Sequence, residues 1–202
     1  MRGSFCTSTE GSSNQAGGWM EKWFPIETER LLLREFRAAD EPDIHEYASD
    51  PEVSRLMDWG PNTPEVTKAV VERWIEQQRQ WPRRSVELAI EVQAEKKAIG
   101  GIRLEVKDER NRTGDFGYAL NRNYWNRGYA TEAARAMLNA AFATLKMHRV
   151  WATCDVRNHA SYRVMEKLGM RREGCFAKDA FQRGEWRDSY LYAVLAEEWT
   201  AK

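Results

Sequence analysis

Cysteine is scarce in this chain, with three in 202 residues, and that scarcity excludes several designs. Cys6, Cys154 and Cys175 are odd in number and lack the paired spacing of a zinc site or a disulfide framework, which points to a reducing cytoplasm. Histidine is just as rare. His45, His148 and His159 add too little to those thiols for a structural metal, so no metal is expected. No apolar run approaches the roughly 20 residues needed to span a bilayer, and no apolar signal segment follows Arg2, so no membrane partner is expected. Net charge is missing as well: Lys plus Arg and Asp plus Glu number 31 each, so no global basic field argues for nucleic acid as a partner. No internal repeat is apparent.

What is present suits one soluble domain. At 42% hydrophobic and 31% charged, the chain can bury one substantial core, and its length fits one domain better than two. Residues 1–19 are rich in Ser, Gly and Thr without apolar periodicity, and read as a flexible leader. Met20 is an alternative start, with the segment before it then a cloning extension, and residues 20–202 form the domain. Leu31 and Leu33 alternate with Leu32 and Arg34 as a first strand. Asp40-Glu41-Pro42-Asp43 opens a helix, and Thr63-Pro64-Glu65 opens another whose buried face is expected to carry Val66, Val70 and Trp74. Residues 85–92 and 99–106 read as strands joined by the charged turn Glu95-Lys96-Lys97, and residues 176–195 as a hairpin turning near Arg183-Gly184.

The most informative stretch is Asn123-Tyr124-Trp125-Asn126-Arg127-Gly128-Tyr129-Ala130-Thr131-Glu132-Ala133. Before it, residues 113–120 read as a strand. After it, Ala130, Ala133, Ala134, Met137, Leu138, Ala141, Phe142 and Leu145 recur at helical spacing. The loop therefore sits at a helix N-terminus, where free backbone N–H groups and the helix dipole favour an anion such as pyrophosphate. Gly128 and the small Ala130 let the backbone approach it closely. A glycine before a helix is common, and alone it proves little. A second block strengthens the reading: residues 149–156 read as a strand, and residues 158–169 as a capped helix with a glycine stop. Strand, helix, strand implies a parallel pair with a right-handed crossover.

These blocks resemble the GNAT superfamily of N-acetyltransferases, and within it the RimJ/RimL-like branch that acetylates protein N-termini, over about residues 28–199. The resemblance rests on Asp115-Phe116-Gly117-Tyr118, on Tyr124-Trp125-x-x-Gly128-Tyr129-Ala130-Thr131-Glu132-Ala133, and on the segment from Asn158-x-x-Ser161 to Lys167-Leu168-Gly169-Met170. Two positions depart from it. Many members have Glu where this chain has Asp115, and many other GNAT enzymes have Tyr where it has Met165.

The resemblance implies an α/β (α+β) fold: a mixed, mostly antiparallel central sheet with a splayed parallel strand pair, flanking helices, and acetyl-CoA wedged between the splayed strands. It implies that the backbone of Tyr118, Ala119 and Leu120 pairs with the pantetheine arm like an added strand. Asn126, Arg127, Gly128, Tyr129, Ala130 and Thr131 would surround the pyrophosphate, with the Arg127 side chain either adding charge there or simply solvated. Asn158 would bond the pantetheine, cap its helix, or both. Ser161 would donate to the departing thiolate or help the cap, and Cys154 is a small lining residue, not a nucleophile.

Amide formation needs a neutral amine, a polarised carbonyl and a donor for the leaving thiolate. Asp115 is the candidate base, directly or through water; its alternative is a strand carboxylate in a salt bridge. A backbone N–H at Tyr118 or Ala119, freed by a strand bulge, is the candidate oxyanion donor. An α-amine of pKa ~7.8 needs about 1 kcal/mol to be neutral at pH 7, against about 4.6 for a lysine at ~10.4. A weak base therefore suits an α-amine, and the resemblance implies that of a protein or peptide N-terminus, for example a ribosomal protein. Two other readings stay open: an acetyltransferase for an amino acid, polyamine or aminoglycoside, for which Asp108-Glu109 supplies only a weak acidic cluster, and a CoA-binding protein without turnover. Trp59, Phe176, Phe181 and Trp186 either line the acceptor cleft or supply ordinary core. Monomer and homodimer are both compatible with the sequence.

Overall fold

The structure is a computed structural model that describes residues 23–80 and 82–199. The leader expected over residues 1–19, the alternative start at Met20 and Cys6 lie outside the described residues. In chain order the elements are β1 (Ile26–Glu27), β2 (Leu31–Glu35), α1 (Glu41–Ala48), α2 (Pro51–Ser54), α3 (Pro64–Gln77), β3 (Ser85–Val92), β4 (Lys97–Asp108), β5 (Thr113–Leu120), α4 (Tyr129–Asn139), β6 (Arg149–Asp155), α5 (His159–Lys167), β7 (Arg171–Gln182) and β8 (Glu185–Leu195). A π turn over Ala140–Thr144 extends α4. The eight strands form one sheet in the order β1-β2-β3-β4-β5-β6-β8-β7. Every pair is antiparallel except β5 and β6, so the fold is the mixed sheet with one parallel pair and flanking helices that the sequence implies.

Strand alternation divides the sheet into two faces. Leu33, Ile90, Leu88, Ile102, Leu104, Phe116 and Val150 share one face and pack with Met137 and Leu138 of α4 in the larger core. Ala89, Ala98 and Ala119 turn to the other face and meet Phe36, Ile44, Tyr47 and Val71 under α1 and α3. There Arg34 is buried between Asp40, at 2.7 Å, and Glu91, at 2.5 Å. Removing one member of such a triad would strand a buried charge.

α3 buries a different stripe from the one expected. Val66 is 46% exposed, whereas Thr67 and Val71 are buried and Trp74 stacks on Phe36 with centroids 4.3 Å apart. Thr67 is admitted to this interface because its hydroxyl pairs with His45 Nδ1 at 2.9 Å, so its polarity is satisfied. Two strands also start earlier than expected, β4 at Lys97 and β7 at Arg171.

β5 and β6 pair only at Thr113, Gly114 and Asp115, opposite Arg149, Val150 and Trp151, and then part. The expected bulge does not fall at Tyr118 or Ala119. Against β4, the register shift of β5 falls at Val106/Asp108, far from Tyr118. β6 stays paired with β8 along all seven of its residues, from Arg149 opposite Leu195 to Asp155 opposite Ser189, after it has left β5. Among the described residues no three His, Cys, Asp or Glu side chains gather as metal ligands, and no helix is long and apolar enough to cross a membrane.

Candidate active site

The parting of β5 from β6 leaves backbone groups without a strand partner. Asn121 N–H donates to the Ile99 carbonyl at 2.7 Å, so by alternation the groups of Ala119 and Gly117 also face β4, while those of Tyr118 and Leu120 face the gap. The Leu120 carbonyl there already accepts the Trp125 indole N–H at 2.8 Å. Tyr118 thus turns both its N–H and its carbonyl to the open side beyond the last β5–β6 pair.

The strand leads into the turn before α4. Asn121 accepts the Asn123 N–H at 3.0 Å, Asn126 has φ +59° and Gly128 has φ +84°, a left-handed conformation that favours glycine. Gly128 caps α4 without any side-chain cap, which leaves the N–H groups of Tyr129, Ala130 and Thr131 for an outside acceptor. An acid in that first turn, Glu132, would repel an anion if left alone. It is tied instead to Arg30, at 2.6 Å, and to the Thr28 hydroxyl, also at 2.6 Å. Burial pushes the Glu132 carboxyl up, but the hydrogen bonds from Thr28 and Arg30 outweigh it and hold the carboxyl below its ordinary range. Arg30 also donates to the Arg127 carbonyl at 3.0 Å and lies 4.4 Å above the Tyr129 ring. Sequence reasoning missed Arg30, because nothing in its neighbourhood marks a residue ~100 positions from the turn that it supports. Arg127 itself is exposed, with its guanidinium 5.4 Å from the Tyr124 ring centroid.

The far lip of the gap is the end of β6 and the start of α5. Asn158 caps α5, its Oδ1 accepting the Ser161 N–H at 3.1 Å. Capping uses the oxygen, so the amide nitrogen is left for another partner. Ser161 lies beside Cys154 and Tyr118. Burial pushes the Cys154 thiol up to about 11, against the easing effect of the Ser161 hydroxyl, so it stays a thiol at neutral pH. The Tyr118 hydroxyl is buried without a hydrogen-bond partner among the described residues.

On the opposite face, Asp115 Oδ2 accepts from Arg103 at 2.5 Å, and Lys107 Nζ stands 3.4 Å from Oδ1. Arg103 also pairs with Glu105. The salt-bridge alternative for Asp115 is therefore realised, although its Oδ1 is buried and receives no hydrogen bond. One row along, Glu87, Arg103 and Gly117 face one another across three strands, and a Cβ built on Gly117 would meet nothing within 4 Å. Burial pushes the Glu87 carboxyl up to about 7, against the pull of Arg103 and Arg73. Glu87 is the second residue that sequence reasoning missed. Its place on strand β3 put it on this face, but the burial that tunes it comes from α1 and α3.

A separate groove of about 370 Å³ is lined by Trp59 and its neighbours on one side and by Phe181 and the β7–β8 turn on the other. Arg183 pins the two sides, donating to the carbonyls of Ser54, Trp59 and Gly60 at 2.8–3.1 Å. Phe181 and Trp186 are about 60% exposed with centroids 5.2 Å apart, and Phe176 is exposed without lining the groove.

Known proteins are similar to this chain in sequence and in fold. Residues 30–171 match the sequence model described as acetyltransferase (GNAT) domain. The chain is similar to a Bacillus subtilis (strain 168) protein known as "Uncharacterized N-acetyltransferase YnaD", at 40% identity over 174 residues, 86% of this chain and 98% of that protein. It is 31% identical over 100 residues, 50% of this chain and 55% of the relative, to "Putative ribosomal N-acetyltransferase YdaF" of the same organism. Among solved structures, the GNAT-family acetyltransferase of Bacillus anthracis superposes with a TM-score of 0.76 at 39% identity, covering 86% of this chain and 99% of that one. A family match over residues 30–171, joined to a sheet that parts beside the Gly128 turn, makes this chain a member of the GNAT acetyltransferase family.

Proposed function

We propose that this acetyl-CoA-dependent N-acetyltransferase acts on the α-amine of a protein or peptide N-terminus, in the RimJ/RimL manner and in the cytoplasm. The observation that carries the reading is the charge balance of the face bearing Asp115. Glu87, Glu105 and Asp115 are matched there by Arg73, Arg103 and Lys107. A polyamine or aminoglycoside is recognised by an excess of acid, which this face lacks. The groove beside Trp59 and Phe181 suits an extended segment with a side chain to bury. Similarity over half of the chain to the relative called "Putative ribosomal N-acetyltransferase YdaF" is in keeping with the same acceptor.

Acetyl-CoA supplies an activated acyl carbon as a thioester. The Gly128 turn and the first N–H groups of α4 bind its pyrophosphate, Tyr118 and Leu120 offer backbone groups to the pantetheine, and the Asn158 amide nitrogen donates to it. The Tyr118 N–H faces the charge that grows on the carbonyl oxygen. Asp115 Oδ1 accepts the amine proton, directly or through water, while Ser161 donates to the departing sulfur.

Mass spectrometry after incubation with acetyl-CoA and a panel of peptides, amino acids, polyamines and aminoglycosides tests the reading. α-N-acetylated peptides support it. Acetylation of small amines alone moves the acceptor to that class, and acetyl-CoA binding with no product leaves a binding protein.

A further inference from the structure

We propose that Gly117 sets acceptor specificity: the open space above it, on the face of β5 that carries Asp115, receives the amine-bearing carbon of the acceptor, and a side chain at that position would shrink the space. This deepens the acetyl-transfer reading and rests on it. Glycine inside a strand weakens the strand and marks a place where a ligand or another backbone comes close. Three strand glycines of this chain have such a neighbour in the protein itself. A Cβ on Gly100 would strike the Ala119 carbonyl, one on Gly114 would strike the Glu105 carbonyl and Met147, and one on Gly101 would stand 3.1 Å from the ring of Phe36. Gly174 sits instead at a register shift between β7 and β8. None of these reasons applies to Gly117. Its φ lies outside the left-handed region, and it pairs with Arg103 in a stretch of unbroken register. A Cβ there would meet nothing within 4 Å among the described residues. The fold has room for alanine at this position, so what glycine makes way for lies outside the chain.

Register fixes the face on which the space opens. Gly117 lies midway between Asp115 and Ala119, and Ala119 packs against the cluster under α1 and α3, so a side chain at Gly117 would point to that face. Glu87 and Arg103 extend the row across β3 and β4. On the other side Trp151 is opposite Asp115 in the last β5–β6 pair, and Thr153, the next residue of β6 on this face, is exposed across the parting. The space over Gly117 is therefore beside the parting and next to Asp115. A thioester laid along Tyr118 in the plane of the sheet leaves two faces for an incoming amine, which must reach the carbonyl carbon from above or below. The α4 and α5 face is filled by the core that holds Phe116, Met137 and the Tyr118 ring. The Gly117 face is bare, and it is the one with the candidate base.

Gly117→Ala adds a methyl group to the space and Gly117→Val an isopropyl group. Peptides that differ only in a first residue of Gly, Ala, Thr or Val read the result. In Gly117→Ala, kcat/KM should fall about tenfold or more for the Thr and Val peptides and less than about threefold for the Gly peptide, a grading by bulk beside the nitrogen. Gly117→Val should extend the loss to the Gly peptide. Acetyl-CoA affinity should stay within about twofold by calorimetry, which places the loss with the acceptor. The melting temperature of Gly117→Ala should not fall, because alanine suits an ordinary strand conformation. A second arm needs no turnover: CoA joined through its sulfur, by an acetyl linker, to the α-nitrogen of an alanyl peptide should bind the parent more tightly than CoA does, and lose that advantage in Gly117→Val. No loss in Gly117→Ala, a loss equal for the Gly and Val peptides, or a loss that acetyl-CoA affinity shares overturns the role of Gly117, as does a conjugate advantage that is the same in the parent and Gly117→Val. A parent that acetylates no peptide overturns the acceptor reading instead, and the conjugate still decides whether acceptor atoms lie over Gly117.

Discussion

Asp115 and Tyr118 stand three residues apart on β5 and turn their side chains to opposite faces of the sheet. Asp115 faces the side covered by α1 and α3, where Arg103 holds it at 2.5 Å, and Tyr118 faces the side covered by α4 and α5. Asp115→Asn should lower turnover most where the amine is mainly protonated, with part of the loss recovered as pH rises, because general bases contribute roughly 10² to 10⁴-fold. Acetyl-CoA affinity should not change. A pH–rate profile parallel to the parent, with less than about a threefold drop, removes Asp115 from the proton path.

Glu87 supplies a stability prediction. Its carboxyl is raised from an ordinary value near 4.5 to about 7. The folded state therefore binds more protons than the unfolded state between those values, and stability from this group falls as pH rises through that window. The difference amounts to about 3 kcal/mol at most. Urea unfolding at pH 5 and pH 8 should show the parent losing stability relative to Glu87→Gln at the higher pH, with turnover of the variant within about threefold. A stability gap that is the same at both pH values refutes the titration, and a large loss of turnover transfers the proton-accepting role from Asp115 to Glu87.

Gly128→Val should weaken acetyl-CoA binding by at least about tenfold. The left-handed φ of +84° disfavours a β-branched residue, and the added side chain starts 3.3 Å from Arg30 Nη2 at the turn. Calorimetric titration measures it. Equal affinity in variant and parent places the pyrophosphate elsewhere.

Arg30 and Glu132 make a separable pair. Arg30→Met leaves the Glu132 charge unopposed in the first turn of α4, and acetyl-CoA affinity should drop about tenfold. Arg30→Met with Glu132→Gln should recover part of that loss. If the double variant binds no better than Arg30→Met alone, charge at Glu132 is not what Arg30 offsets.

The parts of the site that are local in sequence were legible in it. Gly128 and Asn158 announce themselves by turn and cap chemistry, and both occupy those positions in the structure. Residues 85–92 and 113–120 were also legible as strands, and both are strands with those bounds. What escaped depends on partners distant in the chain. α3 turned out to bury Thr67 instead of Val66 because His45 of α1 satisfies the hydroxyl. The strands part after Asp115 while β6 stays paired with β8 to its end, a long-range arrangement that no local feature of residues 113–120 signals. The tuning of Glu87 and the support of Glu132 by Arg30 likewise arise only when remote elements pack.

Rates on two matched peptides, one with a free N-terminus and an acetylated lysine, the other with a blocked N-terminus and a free lysine, test the assigned acceptor. At pH 7 the neutral form costs the α-amine about 1 kcal/mol and the lysine about 4.6, so an enzyme relying on a weak base should prefer the α-amine peptide by about 100-fold or more in kcat/KM. Equal rates, or preference for the lysine peptide, would contradict action on protein N-termini.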